Sequence, residues 1–80
     1  MIKLKFYAEA RDRFKTSSLE IINTDIKSIK DLKCYIENKY PEHYEFLKNC
    51  AWASENKLVN DSYLLPTESL IELLPPVSGG

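Results

Sequence analysis

The chain opens on a strict alternation of apolar and polar residues. Ile2, Leu4 and Phe6 are separated by Lys3 and Lys5. A period of two places every second side chain on the same side of a strand. The pattern therefore predicts a first strand that buries its apolar side chains and turns its lysines outward.

A short helix and a second strand are predicted next. Residues 8–14 are richer in helix-forming side chains, and residues 15–18 have the small polar composition of a loop. The segment 19–22 ends in two isoleucines, and β-branched residues favour extended structure. We therefore expect a short helix to lie between the first two strands.

The main helix is predicted over residues 28–39. Ser28 is followed three residues later by Asp31, which is the spacing of a capping box at the start of a helix. Apolar residues then recur at helical spacing until Pro41. Pro41 stops this segment and also suits the first turn of a short helical piece that ends at Leu47.

The last part of the chain predicts three more strands. Residues 50–53 and 57–59 are apolar segments on either side of Glu55-Asn56, which we interpret as a hairpin turn. Residues 66–68 mark another turn. The segment 70–74 is so apolar that we expect it to lie centrally in the sheet.

These elements together predict the fold class. A helix of about 12 residues cannot bury its apolar stripe alone. Packed across a mixed sheet of four or five strands, it gives a viable core for 80 residues. The predicted fold is therefore an α+β roll with one main helix across the sheet. Residues 1–74 form the folded domain in this interpretation, and residues 75–80 form an extended C-terminal tail.

The charge pattern bears on whether the chain binds a nucleic acid or a protein. Eleven basic and twelve acidic residues give a formal net charge of −1, with no long run of one sign. A nucleic-acid binder would show a basic patch, so we expect a protein partner and no nucleic acid. No stretch has the pattern of a signal peptide or the length needed to cross a bilayer, which predicts a cytoplasmic protein without membrane contact.

The side chains offer little for catalysis within the chain. His43 is the single histidine, so no Ser-His-Asp or Cys-His constellation is plausible, and we interpret it as a surface residue. Cys34 and Cys50 lack C-x-x-C spacing, and we interpret both as small buried residues. Trp52 is expected in the core. No metal site and no bound cofactor are predicted.

The chain has only two glycines, and they stand together at positions 79 and 80. An average composition would place about five or six in a chain of this length. Because glycine has no Cβ, Gly79-Gly80 makes a slim end that fits a narrow tunnel, and Pro75 and Pro76 hold the approach extended. This pattern predicts chemistry at the carboxylate of Gly80, in preference to the alternative of a frayed terminus.

These features resemble the small subunits of molybdopterin synthase, which are ubiquitin-like sulfur carriers with a β-grasp fold. The resemblance covers the whole chain and is strongest at its two ends. The chain departs from the family at residues 54–55 and 67–69, positions that shape loops. The segments that carry the resemblance are residues 2–4 and 6–8 with Arg11, residues 57–59, and residues 73–80, which read Leu-Leu-Pro-Pro-Val-Ser-Gly-Gly.

The resemblance implies that Gly80 is the site of adenylation and sulfur loading. A partner adenylyltransferase would use ATP to activate its carboxylate, and a sulfur donor protein would convert it into a thiocarboxylate. The large synthase subunit would accept the tail, and two sulfur transfers onto a cyclic pyranopterin precursor would build the molybdopterin dithiolene. The chain would act as a subunit of a heterotetramer and not as an enzyme alone. The tail residues implied in insertion are Pro75, Pro76, Val77, Ser78 and Gly79.

The resemblance also implies a docking surface. Tyr7, Leu58 and Leu74 correspond to positions that are apolar and face the partner in that family. Strand parity places Tyr7 on the side opposite the predicted core, and it places Leu74 beside Leu70 and Glu72. The alternative is that Tyr7 and Leu58 merely complete the edge of the core.

Two other functions fit the same sequence. A carrier that supplies sulfur for thiamine thiazole or another metabolite would share the fold and the Gly-Gly end, although the Pro-Pro-Val-Ser approach favours the first hypothesis. A ubiquitin-like modifier or noncovalent binding module would join lysines or dock through its sheet. A residue added after Gly80 should block sulfur transfer and conjugation but leave noncovalent docking intact.

Overall fold

The computed structural model describes residues 1–22 and 25–76. Its strands are β1 (Ile2–Phe6), β2 (Ser18–Ile21), β3 (Ala51–Ser54), β4 (Lys57–Leu58) and β5 (Ser69–Leu74). Its helices are α1 (Glu9–Phe14), α2 (Ile29–Lys39) and α3 (Tyr44–Lys48), the last preceded by a 3-10 turn at Pro41–His43. The predicted order of elements is confirmed. Within the described ranges, no helix is both long enough and apolar enough to cross a membrane.

The strands form one mixed sheet in the order β2-β1-β5-β3-β4. β1 and β5 run parallel, whereas the other neighbouring pairs are antiparallel. Because parallel neighbours need a long crossover, the chain between β1 and β5 has room to carry α2 across one side of the sheet. The predicted α+β roll and the central position of β5 are therefore confirmed.

The start of α2 is fixed by a cap at Ser28. The hydroxyl oxygen of Ser28 accepts a hydrogen bond of 3.2 Å from the backbone N–H of Asp31. The Asp31 carboxylate accepts one of 3.0 Å from the N–H of Lys27, one residue before the cap. This second bond is the main cause that lowers the pKa of Asp31 below its usual value of 3.8. The first two N–H groups of the helix bond the carbonyls of Tyr63 and Asp61, so the loop before β5 completes the cap.

The core lies between α2 and the sheet. One side of each central strand and the apolar stripe of α2 are buried together, and Trp52 joins them with only 3% of its surface exposed, as expected. Burial of this apolar surface is the main favourable term for a domain of this size. The largest side chains with almost no exposed surface are Leu4, Ile29, Leu32, Ile36, Ile71 and Leu73.

The hairpin between β3 and β4 turns at Glu55 and Asn56, as predicted. Both residues have positive φ, 52° and 66°. A type I′ hairpin turn requires two consecutive residues in the left-handed region, and the twist of such a turn matches the twist of the flanking strands. β4 itself is only two residues long, so Leu58 lies at a short outer edge of the sheet.

The expectation that both cysteines are buried is wrong for Cys34. Cys34 is exposed on α2, because it lies roughly 200° around the helix from the buried Leu32. Cys50 is half-buried, and its thiol donates a hydrogen bond of 3.3 Å to the carbonyl of Phe46. Burial is the main cause that raises the pKa of the Cys50 thiol to about 11.

Candidate functional site

The open face is the side of the sheet opposite the core. Ile71 and Leu73 of β5 are fully buried, so the residues that alternate with them point the other way. The register extends this face across the sheet, because Glu72 pairs with Lys5 of β1 and with Ala53 of β3. The described residues that define the open face are Lys3, Lys5, Tyr7, Ser18, Glu20, Ala53, Leu58, Leu70, Glu72 and Leu74.

Tyr7 continues the open face beyond the end of β1. Its hydroxyl donates a hydrogen bond of 2.9 Å to Oε2 of Glu72, and the ammonium of Lys5 lies 5.6 Å from the centre of its ring. The side chain is half-buried by these contacts. The phenol ring is therefore held against the sheet with its outer surface accessible.

The other two predicted docking residues lie on the same face. Leu58 is 73% exposed, so it does not complete the core, and Leu70 on the central strand is 49% exposed. Leu74 is half-buried at the end of β5. Apolar side chains that remain accessible on one face of a sheet are a common feature of protein interaction sites.

The predicted tail starts beside Tyr7. Phe6 pairs with Leu73 in the parallel register, so Tyr7, just after β1, and Leu74, the last residue of β5, lie at the same end of the sheet. Pro75 and Pro76 follow and are half-buried. The remaining predicted tail residues, Val77, Ser78, Gly79 and Gly80, lie outside the described residues.

A cavity of about 410 Å³ opens in the sheet beside Glu72. It lies beyond the last pair between β3 and β5, Ala53 with Glu72, where β3 ends at Ser54 and the chain turns at Glu55. Glu55 of the hairpin turn and Glu68 before β5 also line it, and Leu70 links it to the apolar part of the open face.

A strained turn follows Tyr7. Ala8 has φ 50° and ψ −122°, a conformation that the Cβ of an L-residue disfavours. The carbonyl of Tyr7 accepts a hydrogen bond of 3.0 Å from the N–H of Ala10, which closes a tight turn into α1. This strain is not visible in the sequence, because glycine is the usual residue for such backbone angles and none stands here.

Sequence reasoning also missed the contact of Glu72 with Tyr7. Strand parity already placed both residues on the same side of the sheet, so part of the signal was present. The missing part was the parallel register of β1 and β5, which brings residues 65 positions apart into hydrogen-bonding distance.

Among residues 1–22 and 25–76, no cluster of three or more His, Cys, Asp and Glu side chains could hold a metal ion. His43 is half-buried, with its ring 4.7 Å from that of Phe14 and 6.4 Å from that of Tyr40. Its surroundings are aromatic, which is the setting of a packing residue.

Comparison with solved structures finds close matches over the full length. SAMP1 from Haloferax volcanii aligns with a TM-score of 0.80 at 13% identity, covering 99% of this chain and 98% of that one. A candidate molybdopterin converting factor subunit 1 from Pyrococcus furiosus aligns with a TM-score of 0.81 at 19% identity, covering 95% and 97%. These matches confirm the β-grasp fold.

A third structure adds a partner to the comparison. It is a complex of subunits 1 and 2 of the molybdopterin-converting factor from Helicobacter pylori, with a TM-score of 0.70 at 28% identity, covering 99% of this chain and 97% of that one. Among curated proteins, the sequence has no significant match. Residues 4–80 match the ThiS family, a range that begins within β1 and takes in β2 to β5 and the whole tail. The chain therefore belongs to the ThiS family of ubiquitin-like sulfur carriers.

Proposed function

We propose that this chain is the sulfur-carrying subunit of a molybdopterin synthase, with Gly80 as the residue that is activated, loaded and discharged. The observation that carries the proposal is the position of the apolar part of the open face. Tyr7 and Leu74 lie where the chain leaves the sheet toward the tail. A partner that covers this face is placed to receive the residues that follow.

The comparison with Helicobacter pylori supports the choice of partner. That structure contains a subunit 2 bound to a subunit 1, and the latter shares 28% of its sequence with this chain. We therefore propose a synthase large subunit as the partner that covers the open face. In this arrangement residues 1–74 provide the docking domain, and residues 75–80 provide the inserted tail.

The chemistry starts from an unreactive group. A carboxylate resists attack because it already carries negative charge and has no good leaving group. In the proposed cycle, an oxygen of the Gly80 carboxylate attacks the α-phosphorus of ATP on an adenylyltransferase and releases pyrophosphate. The product is an acyl-adenylate, in which AMP is a stable leaving group.

Sulfur transfer then replaces AMP. A donor protein supplies sulfur at the oxidation level of hydrosulfide, which attacks the Gly80 carbonyl and forms a C–S bond. The C–O bond to AMP breaks, AMP leaves, and the terminus becomes a thiocarboxylate. The absence of a side chain leaves this carbonyl unhindered, and binding of both reactants supplies orientation. The anionic sulfur then attacks a carbon of the pyranopterin precursor in the large subunit and displaces an oxygen substituent. Water hydrolyses the acyl C–S bond of the resulting thioester, which leaves the sulfur on the pterin and restores the Gly80 carboxylate.

The test is the intact mass of the chain isolated with its native partners under thiol-free conditions. The proposal predicts a gain equal to the exchange of one oxygen for sulfur, located at Gly80 by fragmentation. Reconstitution with ATP, the cognate adenylyltransferase, a sulfur donor, the large subunit and the precursor should then form molybdopterin. An unmodified terminus after the same incubation would contradict the proposal.

A ubiquitin-like modifier is the second candidate, and the fold match to SAMP1 supports it. The two functions share activation of Gly80 but differ in the acceptor. A modifier forms an amide with a lysine, whereas a sulfur carrier returns to a free carboxylate. Mass analysis of the products after activation distinguishes a conjugated protein from a sulfurated pterin.

A further inference from the structure

Glu72 occupies the centre of the open face. In register it lies between Lys5 of β1 and Ala53 of β3. Along β5 it lies between Leu70, which is exposed, and Leu74, which is half-buried. Any partner that covers the apolar residues of this face must therefore also cover a carboxylate.

The carboxylate of Glu72 has capacity for further hydrogen bonds. It accepts one bond from the Tyr7 hydroxyl, whereas two carboxylate oxygens offer about four acceptor positions. None of the ion pairs among the described residues includes Glu72. The ammonium of Lys5, its neighbour in register, lies near the Tyr7 ring instead.

The surroundings add negative charge. The cavity beside Glu72 is also lined by Glu55 and Glu68, and no lysine or arginine stands among the described residues that line it. Glu68 is partly neutralised by the N-terminal ammonium at 3.5 Å, whereas Glu55 has no such partner among the described ion pairs. A recess with carboxylates on its walls attracts a cation.

Covering this face with a purely apolar surface would be unfavourable. A carboxylate that loses its water without gaining donors is strongly destabilised. Tyr7 provides one donor, and the remaining lone pairs need donors from the partner. A basic side chain fits this need because it supplies both charge and N–H groups.

We propose that Glu72 selects the docking partner, by requiring a lysine or arginine side chain that lies over its carboxylate and enters the adjoining acidic cavity. This inference rests on the proposed function, which names the partner as a synthase large subunit. Glu72 thereby acts as a specificity residue in the middle of an apolar contact. A partner without the basic group is rejected although its apolar surface fits.

The experiment measures binding of the cognate large subunit by calorimetric titration at low and at high ionic strength. Glu72→Gln keeps the size of the side chain and an acceptor for Tyr7, but it removes the charge. We expect affinity to fall about thirtyfold or more, the usual effect of breaking a covered ion pair. The dependence of affinity on salt should fall as well.

Glu20→Gln is the matched control. Glu20 is exposed on β2, opposite Lys3, so the substitution removes one carboxylate from the far edge of the same sheet. It should leave affinity within about twofold, as expected for a charge at a rim. Thermal unfolding of both variants shows whether the domain remains folded.

Glu72→Leu gives a second test, because the direction of the change in affinity distinguishes a basic partner surface from an apolar one. If the partner places a basic group over this position, a leucine leaves that group without its partner, and affinity falls at least as far as with Glu72→Gln. If the partner surface is apolar there, leucine tightens binding, and that result overturns the inference. Unchanged affinity for Glu72→Gln overturns it too. Failure of the unsubstituted chain to bind the large subunit at all would instead contradict the proposed function.

Discussion

The hydroxyl of Tyr7 donates a hydrogen bond of 2.9 Å to Oε2 of Glu72, so a residue that follows the first strand binds a carboxylate on the last one. We expect Tyr7→Phe to lower the free energy of unfolding by about 1 kcal/mol, because the carboxylate loses a donor while the ring contacts remain. Urea denaturation measures this change. Tyr44→Phe is the control on an exposed tyrosine and should have almost no effect; equal losses in both variants would contradict the assigned bond.

The strained backbone at Ala8 predicts a stabilising substitution. Ala8→Gly removes the Cβ that opposes φ 50° and ψ −122°. The strain energy that is relieved exceeds the free-energy cost of the greater conformational entropy that glycine gives the unfolded chain. We expect the free energy of unfolding to rise by about 1 kcal/mol. Ala10→Gly, in the first turn of α1, buried and without positive φ, should lower it by a similar amount. A loss of stability in both variants would show that Ala8 is not strained.

The cap of α2 predicts a dependence of stability on pH. The pKa of Asp31 is lower in the folded chain than its usual value of 3.8, so the folded state binds protons less readily than the unfolded state. Its contribution is therefore present above pH 3.8 and is lost as the pH falls through the lowered pKa.

Asp31→Asn tests this dependence. The amide oxygen still accepts a hydrogen bond from Lys27, but it does not titrate. We expect the variant to be less stable than the unsubstituted chain near neutral pH, with a difference that shrinks to nothing in strong acid. Urea unfolding across the acidic range measures the two curves; parallel curves at every pH would contradict the assigned role.

The two cysteines are expected to react at different rates with iodoacetamide. Cys34 is exposed on α2, whereas Cys50 is half-buried and its thiol, with a pKa raised to about 11, is almost fully protonated near neutral pH. Mass spectrometry of peptides over time should show Cys34 modified first. In urea, which unfolds the chain, the reaction rates of the two cysteines should converge. A difference that persists in urea would show that the fold does not cause it.

Much of the fold follows from periodicities in the sequence. The alternation at residues 2–6 and the cap at Ser28 each determine a local conformation, and both predictions are confirmed. Local patterns succeed here because the buried face of a strand or helix depends mainly on residues close in sequence. The exposure of Cys34 follows from the same helical spacing, against the general tendency of cysteine to be buried.

Other features depend on residues far apart in sequence. The contact between Tyr7 and Glu72 requires the parallel register of β1 and β5, and the cavity beside Glu72 requires the pairing of β3 with β5 to end at Ala53. Neither relationship produces a periodic pattern in the sequence. The positive φ of Ala8 is likewise imposed by the packing that joins β1 to α1, against the preference of alanine itself.

The central position of β5 has a consequence for the synthesis of the protein. β1 is made first, but its parallel neighbour in the middle of the sheet is made last of the five strands. Until translation passes Leu74, the nascent chain lacks both the centre of its sheet and the residues Glu72 and Leu74. Folding is thus delayed until almost the whole domain has emerged from the ribosome. A chain that terminates before β5 lacks the centre of its sheet and therefore presents no open face.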